Sequence, residues 1–131
     1  MTCYVDTSAL VKVLVMEPGS DSARAIWAHM RERPTSSAIA WTELLRAVRT
    51  QPLATKVRAR QLLESLDLIV VDLAVLDRAA DLDPAIPRSL DAIHVASALT
   101  LGDDLEAVVT FDERMAEAAL LLGLPVLGAG A

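Results

Sequence analysis

The chain holds one cysteine, Cys3, two lysines, Lys12 and Lys56, and only 3% aromatic residues in 131 positions. A lone cysteine excludes an internal disulfide and a cysteine-built zinc site, so Cys3 is expected to be a buried thiol. Hydrophobic residues make up 53% of the sequence, and with aromatics so scarce the core must be built from Leu, Val, Ile and Ala. Long hydrophobic runs are also missing. The longest uncharged stretch, Ala118 to Ala131, is broken by Gly123, Pro125 and Gly128 and falls short of the roughly 18 residues a membrane span needs. The first apolar run contains Asp6 and lacks a basic region followed by a small-residue cleavage site. Neither a membrane span nor a secretory signal is expected, and the cytoplasm is the expected compartment. A length of 131 residues fits one domain, 1–131.

The net charge of −6 argues against a general affinity for nucleic acid, but its distribution is uneven. Residues 24–60 carry Arg24, Arg31, Arg33, Arg46, Arg49, Lys56, Arg58 and Arg60 against only Glu32 and Glu43, while residues 61–131 carry thirteen acids against three basic residues. Two readings fit the basic segment: a phosphate-contacting surface beside an acidic metal site, or helices with solvated faces.

Apolar periodicity alternates between strand and helix along the whole chain. Thr2–Asp6 reads as a strand and Thr7–Met16 as a helix ended by Glu17-Pro18-Gly19. A second helix is expected from Ser20 or Asp21 to Arg33, with Ala23, Ile26, Trp27 and Met30 on one face, before Pro34 stops it. Thr35–Ile39 reads as a strand, Trp41–Thr50 and Leu53–Leu66 as helices, and Leu68–Leu73 as a buried strand. Ala74–Leu82 reads as a helix, Pro84 and Pro87 as a loop, and Ser89–Leu101 as a helix ended by Gly102. Ala107–Thr110, Glu113–Leu122 and Pro125–Leu127 complete the pattern as strand, helix and strand. Short strands separated by helices predict an α/β fold of three layers, a parallel sheet between helices, because parallel neighbours need crossover connections.

In such a sheet, ligands bind beyond the carboxyl ends of the strands, where the next helices begin. Four acids are expected there. Asp6 ends the first strand, Glu43 is placed in the first turn of the helix after the second, Asp91 in the first turn of the Ser89 helix, and Asp112 just after the fourth strand. Each acid alone is explained by capping, since carboxylates favour helix amino termini. The set is explained less well that way, because the acids sit among apolar neighbours such as Leu90, Ala92 and Ile93. Carboxylates gathered in a partly apolar cleft repel one another and stay ionised only beside a cation, and oxygen-only ligands select Mg²⁺ or Mn²⁺. Such a site suits phosphoryl chemistry. Hydroxyls of Thr7, Ser8 and Thr110 can orient the carboxylates or act as helix caps and strand-end groups. His94 is expected to be a packed histidine with one hydrogen bond, and His29 a solvated one within the second helix.

Four fragments, Val5-Asp6-Thr7-Ser8-Ala9-Leu10, Thr42-Glu43-Leu44, Leu90-Asp91-Ala92-Ile93-His94-Val95-Ala96 and Val109-Thr110-Phe111-Asp112, occur in one order along the whole chain. In these fragments the chain resembles the PIN-domain ribonucleases, specifically the VapC toxins of bacterial toxin–antitoxin pairs. The resemblance implies a Mg²⁺- or Mn²⁺-dependent endoribonuclease that cuts structured RNA such as tRNA or rRNA and is inhibited by a cognate antitoxin. It implies Asp6, Glu43, Asp91 and Asp112 as catalytic acids, with Asp6, Asp91 and Asp112 on the metal and Ser8 and Thr110 as polar support. Glu113 follows Asp112 and is the alternative to it. Arg46 and Arg49 are expected to contact RNA phosphates.

Other readings fit less well. An aspartate-nucleophile, Mg-dependent phosphatase needs a second Asp two residues after the first, where this chain has Ser8. A receiver domain needs a lysine near the last strand. A non-catalytic nucleic-acid-binding module would be expected to have lost acids that are all present. The apolar excess, with Ala38–Leu45 and Leu62–Leu66 richer in Leu, Ile and Trp than short strands require, predicts exposed patches buried in a homodimer. The resemblance adds an antitoxin segment lying as an amphipathic helix among the helices of residues 8–66. The competing expectation is that the same side chains fill a tight core.

Overall fold

In the computed structural model, Thr2–Val5 forms strand β1, buried at every position. Residues 1–86 and 88–129 are described; Pro87, expected in the loop with Pro84, lies outside them, as do Gly130 and Ala131. The helix α1 (Thr7–Leu14) follows β1 directly, and α2 (Ser20–Ala28), β2 (Thr35–Ser37), α3 (Ile39–Ala47) and α4 (Leu53–Glu64) complete the first half. The second half runs β3 (Asp67–Ile69), α5 (Leu73–Ala80), α6 (Ser89–Leu99), a 3₁₀ turn (Gly102–Asp104), β4 (Leu105–Thr110), α7 (Glu113–Leu121) and β5 (Val126–Gly128).

The five strands form one parallel sheet in the order β3-β2-β1-β4-β5. Chain order steps outward from β1 through β2 to β3, then returns to the other side of β1 with β4. The crevice between the carboxyl ends of β1 and β4 is therefore the topological switch point. Side chains of β1 and β4 alternate between two cores. Cys3, Val5, Ala107 and Val109 face Leu10, Leu14, Leu44, Val48 and Leu63 of the first-half helices. Tyr4 and Val108 face Val95, Ala98, Met115 and Ala119 of the second-half helices. Burial on both faces explains why β1 reads as a continuous apolar run instead of an alternating one.

Several boundaries differ from expectation, each for a local reason. The second helix stops at Ala28, not Arg33, because the His29 N–H turns back to Ile26 and Trp27 carbonyls and its ring Nδ1 contacts the Ala25 carbonyl. His29 is thus an exposed helix end and not an interior residue. The third helix begins at Ile39, since the Ala38 N–H reaches across to the Ile69 carbonyl and ends β2. β3 covers only Asp67–Ile69 and is half-exposed, not buried, because it is the sheet edge and Asp72 starts the next helix by accepting from the Val75 N–H. Within Ala38–Leu45 and Leu62–Leu66, Ala40, Trp41, Leu44, Leu45, Leu62, Leu63 and Leu66 pack into or against the first core, so most of the expected surplus is not exposed there. Exposed apolar residues include Leu53 and Val57 of α4 and Val70, Leu73, Leu76 and Leu90. Leu76 also lines a cleft of about 540 Å³ with Pro84, Ile86 and Ala92.

Gly128 closes β5 at φ +105°, and a Cβ built there would stand 2.2 Å from the Thr110 carbonyl oxygen. That carbonyl also accepts from the Ala129 N–H at 2.7 Å. Gly128→Ala is expected to lose about 2 kcal/mol or more of stability, from an unfavourable φ and a backbone clash. Urea denaturation measures it, and a midpoint unchanged from the parent would contradict the close approach.

Candidate active site at the carboxyl edge of the sheet

Parallel pairing carries the first acid to the last residue of β4. Val5 pairs with Val109, and the Asp6 N–H extends the ladder to the Val109 carbonyl at 3.2 Å. Asp6 then caps α1, its Oδ1 accepting from the Ala9 N–H at 3.1 Å. Ser8 Oγ donates to the same oxygen at 2.6 Å, and Thr110 Oγ1 donates to Oδ2. Both hydroxyls also accept: Ser8 Oγ from the Phe111 N–H at 2.8 Å and Thr110 Oγ1 from the Asp112 N–H at 3.1 Å. Each hydroxyl therefore ties Asp6 to the turn that presents Asp112. Asp6 is buried, and desolvation pushes its carboxyl above the ordinary range despite the bonds from the two hydroxyls and the Ala9 N–H.

Glu43 sits in the second turn of its helix, not the first, because α3 starts two residues earlier than expected. Its Oε1 accepts from Thr7 Oγ1 at 2.9 Å and meets His94 Nε2 at 2.7 Å. His94 is buried and makes a second bond, Nδ1 to the Tyr4 hydroxyl at 2.7 Å. The Nε2–H tautomer satisfies both, donating to the carboxylate and accepting from tyrosine. Burial raises the Glu43 carboxyl, but the hydrogen bonds from His94 and Thr7 bring it below the ordinary value. Sequence reasoning gave His94 one hydrogen bond and no place at the site. Its i+3 spacing from Asp91 on α6 was the available signal, but no sequence pattern shows that Tyr4 and Glu43 flank it.

Asp91 lies in the first turn of α6, as expected, and Asp112 caps α7 with Oδ1 accepting from the Arg114 and Met115 N–H groups. Between them stands Arg88, which sequence reasoning missed. Its Nε donates to Asp91 Oδ2 at 2.6 Å and a terminal nitrogen donates to Asp112 Oδ2 at 3.0 Å. Burial raises the Asp112 carboxyl, but Arg88 and the two backbone N–H groups hold it below the usual range.

The four acids are thus linked through intermediaries and do not touch: Thr110 joins Asp6 to the Asp112 backbone, Arg88 joins Asp112 to Asp91, and His94 joins the Asp91 helix to Glu43. Among the described residues, no three His, Cys, Asp or Glu side chains are arranged to hold one metal ion in common. The donor set is nevertheless all oxygen, and the Asp91–Asp112 pair already accepts a cation between its carboxylates, which fits a hard divalent ion. Glu113 is exposed in the first turn of α7, where it faces the helix dipole. Cys3 hydrogen-bonds Glu106 at 3.2 Å on the far side of the fold, and burial with that carboxylate pushes its thiol up to about 12.

Arg33, Arg46 and Arg49 of the basic segment differ in their surroundings. Arg33 is bound to Asp67 and to the Glu64 carbonyl near the amino ends of β2 and β3, away from the acids. Arg46 is exposed in the last turn of α3. Arg49 lies beyond that helix, with its guanidinium on the Arg46 carbonyl at 2.6 Å.

The Asp6 environment has a measurable consequence. An unfolded chain releases this proton near pH 3.8 and the folded chain at higher pH, so between the two the folded state binds more protons. Its contribution is present at low pH and lost as pH rises through the folded value. Asp6→Asn is expected to raise the metal-free Tm at neutral pH by about 4 °C or more and to flatten this dependence. Differential scanning calorimetry across pH in EDTA checks it; a lower Tm at every pH would contradict a destabilising buried charge.

A family model for the PIN domain matches residues 3–121. Ribonuclease VapC46 of Mycobacterium tuberculosis is 44% identical over 124 residues, covering 95% of this chain and 95% of that protein. Ribonuclease VapC35 of the same organism is 40% identical over 131 residues, 97% of this chain and 96% of its own. Among solved structures, M. tuberculosis VapC20, described as a Sarcin-Ricin loop cleaving toxin, superposes with TM-score 0.75 at 18% identity, covering 89% of this chain and 95% of that one. A toxin–antitoxin complex from Klebsiella pneumoniae gives TM-score 0.70 at 19% identity, covering 85% and 87%. These last two show a shared fold, and the family match with the close relatives shows descent: the chain belongs to the PIN-domain family, among its VapC ribonucleases.

Proposed function

We propose that this chain is a divalent-metal-dependent endoribonuclease acting on structured RNA, tRNA or rRNA, as the toxin of a toxin–antitoxin pair. The observation that carries the reading is the delivery of Asp6, Glu43 and Asp112 from the ends of β1, β2 and β4, with Asp91, to one edge at the switch point. Relatives named ribonucleases support the activity.

Asp6, Asp91 and Asp112 would hold the ion, and their oxygens suit Mg²⁺ or Mn²⁺. When bound, the ion supplies charge for the phosphate and lowers the pKa of a coordinated water. Ser8 and Thr110 fix both oxygens of Asp6, so its carboxylate needs no reordering. Both bonds to Glu43 fall on Oε1, which leaves Oε2 to take a proton from the attacking water. His94, itself held by Tyr4, keeps that carboxylate oriented.

An antitoxin that inserts a basic side chain among these acids would block ion and phosphate together. The superposed toxin–antitoxin complex supports such a partner. The exposed Leu73, Leu76 and Leu90 support pairing of two copies. Among the described residues no helix is long and apolar enough to cross a membrane, and we place the activity in the cytoplasm, where its RNA is found.

Incubation of the purified chain with tRNA and rRNA, with and without Mg²⁺, tests the activity by mapping cut ends. Asp91→Asn is expected to lower cleavage about 100-fold or more while the fold persists. Full activity in that variant, or cleavage undiminished by EDTA, would overturn the mechanism.

Arg46 and Arg49 are the proposed phosphate contacts on the α3 side. Affinity for RNA should fall steeply with salt, and Arg46→Ala should reduce that slope by about one or less. Arg49, already on a backbone carbonyl, is expected to contribute less. An unchanged slope in the double variant would make both ordinary surface charges.

A further inference from the structure

Arg88 departs from an ordinary surface ion pair in one respect: two nitrogens of its guanidinium reach carboxylates on two separate helices, α6 and α7. Its side chain is 42% exposed, whereas Asp91 beneath it is only 14% exposed. Asp112 offers little choice of partner. Its Oδ1 is committed to the Arg114 and Met115 N–H groups as the α7 cap, so Oδ2, the atom Arg88 holds, is the oxygen left for a cation. Asp91 likewise gives Arg88 its Oδ2, at 2.6 Å. A guanidinium and a divalent ion therefore compete for the same two oxygens.

We propose that Arg88 is the resident counter-cation of this site: it occupies the metal-binding oxygens of Asp91 and Asp112, and transfers to an RNA phosphate when a divalent ion takes them. The inference rests on the metal reading given above. Charge neutrality drives the first half. Without a metal, Asp91 and Asp112 face each other across a small space, and a fixed positive group removes their repulsion. Geometry drives the second half. Displaced from the carboxylates by a dication, the guanidinium is repelled by it yet stays tethered one turn from Asp91, at the residue that precedes α6. The negative group that then arrives is the RNA phosphate, whose oxygens match the planar fork of an arginine. Arg88 would act as a gate on metal occupancy and a clamp on substrate.

The two halves predict opposite signs for one substitution, which separates them from a structural role. Mn²⁺ is titrated calorimetrically into the full chain and into Arg88→Gln, Arg88→Lys and Asp91→Asn variants. Arg88→Gln is expected to bind Mn²⁺ about tenfold more tightly than the parent, with Arg88→Lys between, because a lysine keeps the charge but loses the fork. In EDTA, the Arg88→Gln protein should melt several degrees lower than the parent, and saturating Mn²⁺ should close the gap. At saturating Mn²⁺, a 2′-O-methyl RNA stem-loop should bind Arg88→Gln at least about threefold more weakly. Equal or weaker Mn²⁺ binding in Arg88→Gln, or a higher Tm in EDTA, overturns the competition. Undiminished affinity for the stem-loop overturns the transfer to phosphate. Mn²⁺ affinity that is the same in Asp91→Asn as in the parent overturns the metal reading itself, and the proposal with it.

Discussion

The pairing of β1 with β4 determines where every other part of the site can stand. These strands are adjacent in the sheet although a hundred residues apart in sequence, and their register sets Val5 against Val109. One more ladder bond, from the Asp6 N–H to the Val109 carbonyl, puts the first acid level with the end of β4. Thr110 and Ser8 can then each donate a hydrogen bond to Asp6 and accept one from the turn leading to Asp112. A slip of one residue would turn Asp6 and Tyr4 to the opposite faces and break both the hydroxyl bridge and the tyrosine contact with His94. The close approach of Gly128 to Thr110 constrains the neighbouring β4–β5 register at the same edge.

Given that register, the electrostatic difficulty is to keep several carboxylates near one another beside an apolar core. The fold resolves it with a different device for each acid. Asp6 is buried, and desolvation raises its proton affinity although neutral donors hold both of its oxygens. Glu43 is stabilised in its ionised form by His94 and Thr7, and Asp112 by Arg88 and a helix amino terminus. The acids consequently differ in what they can do. One that resists ionisation is relieved by any cation placed beside it, while one held by an imidazole keeps its charge without one.

Much of this was legible in the sequence because local rules govern it. Asp6 and Asp112 follow apolar runs and cap helices, and Asp91 lies in the first turn of α6, so capping chemistry, the helix dipole and strand order placed them correctly relative to the sheet. Glu43 was misplaced by one turn, because the start of α3 is set by an Ala38 bond to Ile69, a residue distant in sequence. The same cause made β3 read as buried: its composition is apolar, but edge position is a property of the whole sheet. Arg88 was invisible for a related reason. Its i+3 spacing to Asp91 is an ordinary helix-start pairing, and only the approach of α7 to α6 turns it into a bridge to Asp112. Within the basic segment, Arg33 is drawn to Asp67 at the start of β3, a pairing that its position in sequence does not announce.

His94 shows how the core and the site are joined. The residue is buried on α6, and hydrogen bonds at both ring nitrogens hold its ring. Tyr4 fixes one ring nitrogen from the centre of the sheet, which leaves the other aimed at Glu43. Orientation of a half-exposed carboxylate is thereby set by two side chains that belong to the packed interior. A histidine in this position costs desolvation of two polar groups, which is offset only because both nitrogens and the tyrosine hydroxyl are satisfied. Packing that would leave either bond unmade is penalised by the same low dielectric, so the core can settle in one arrangement, and that arrangement is the one that points Glu43 toward the other acids.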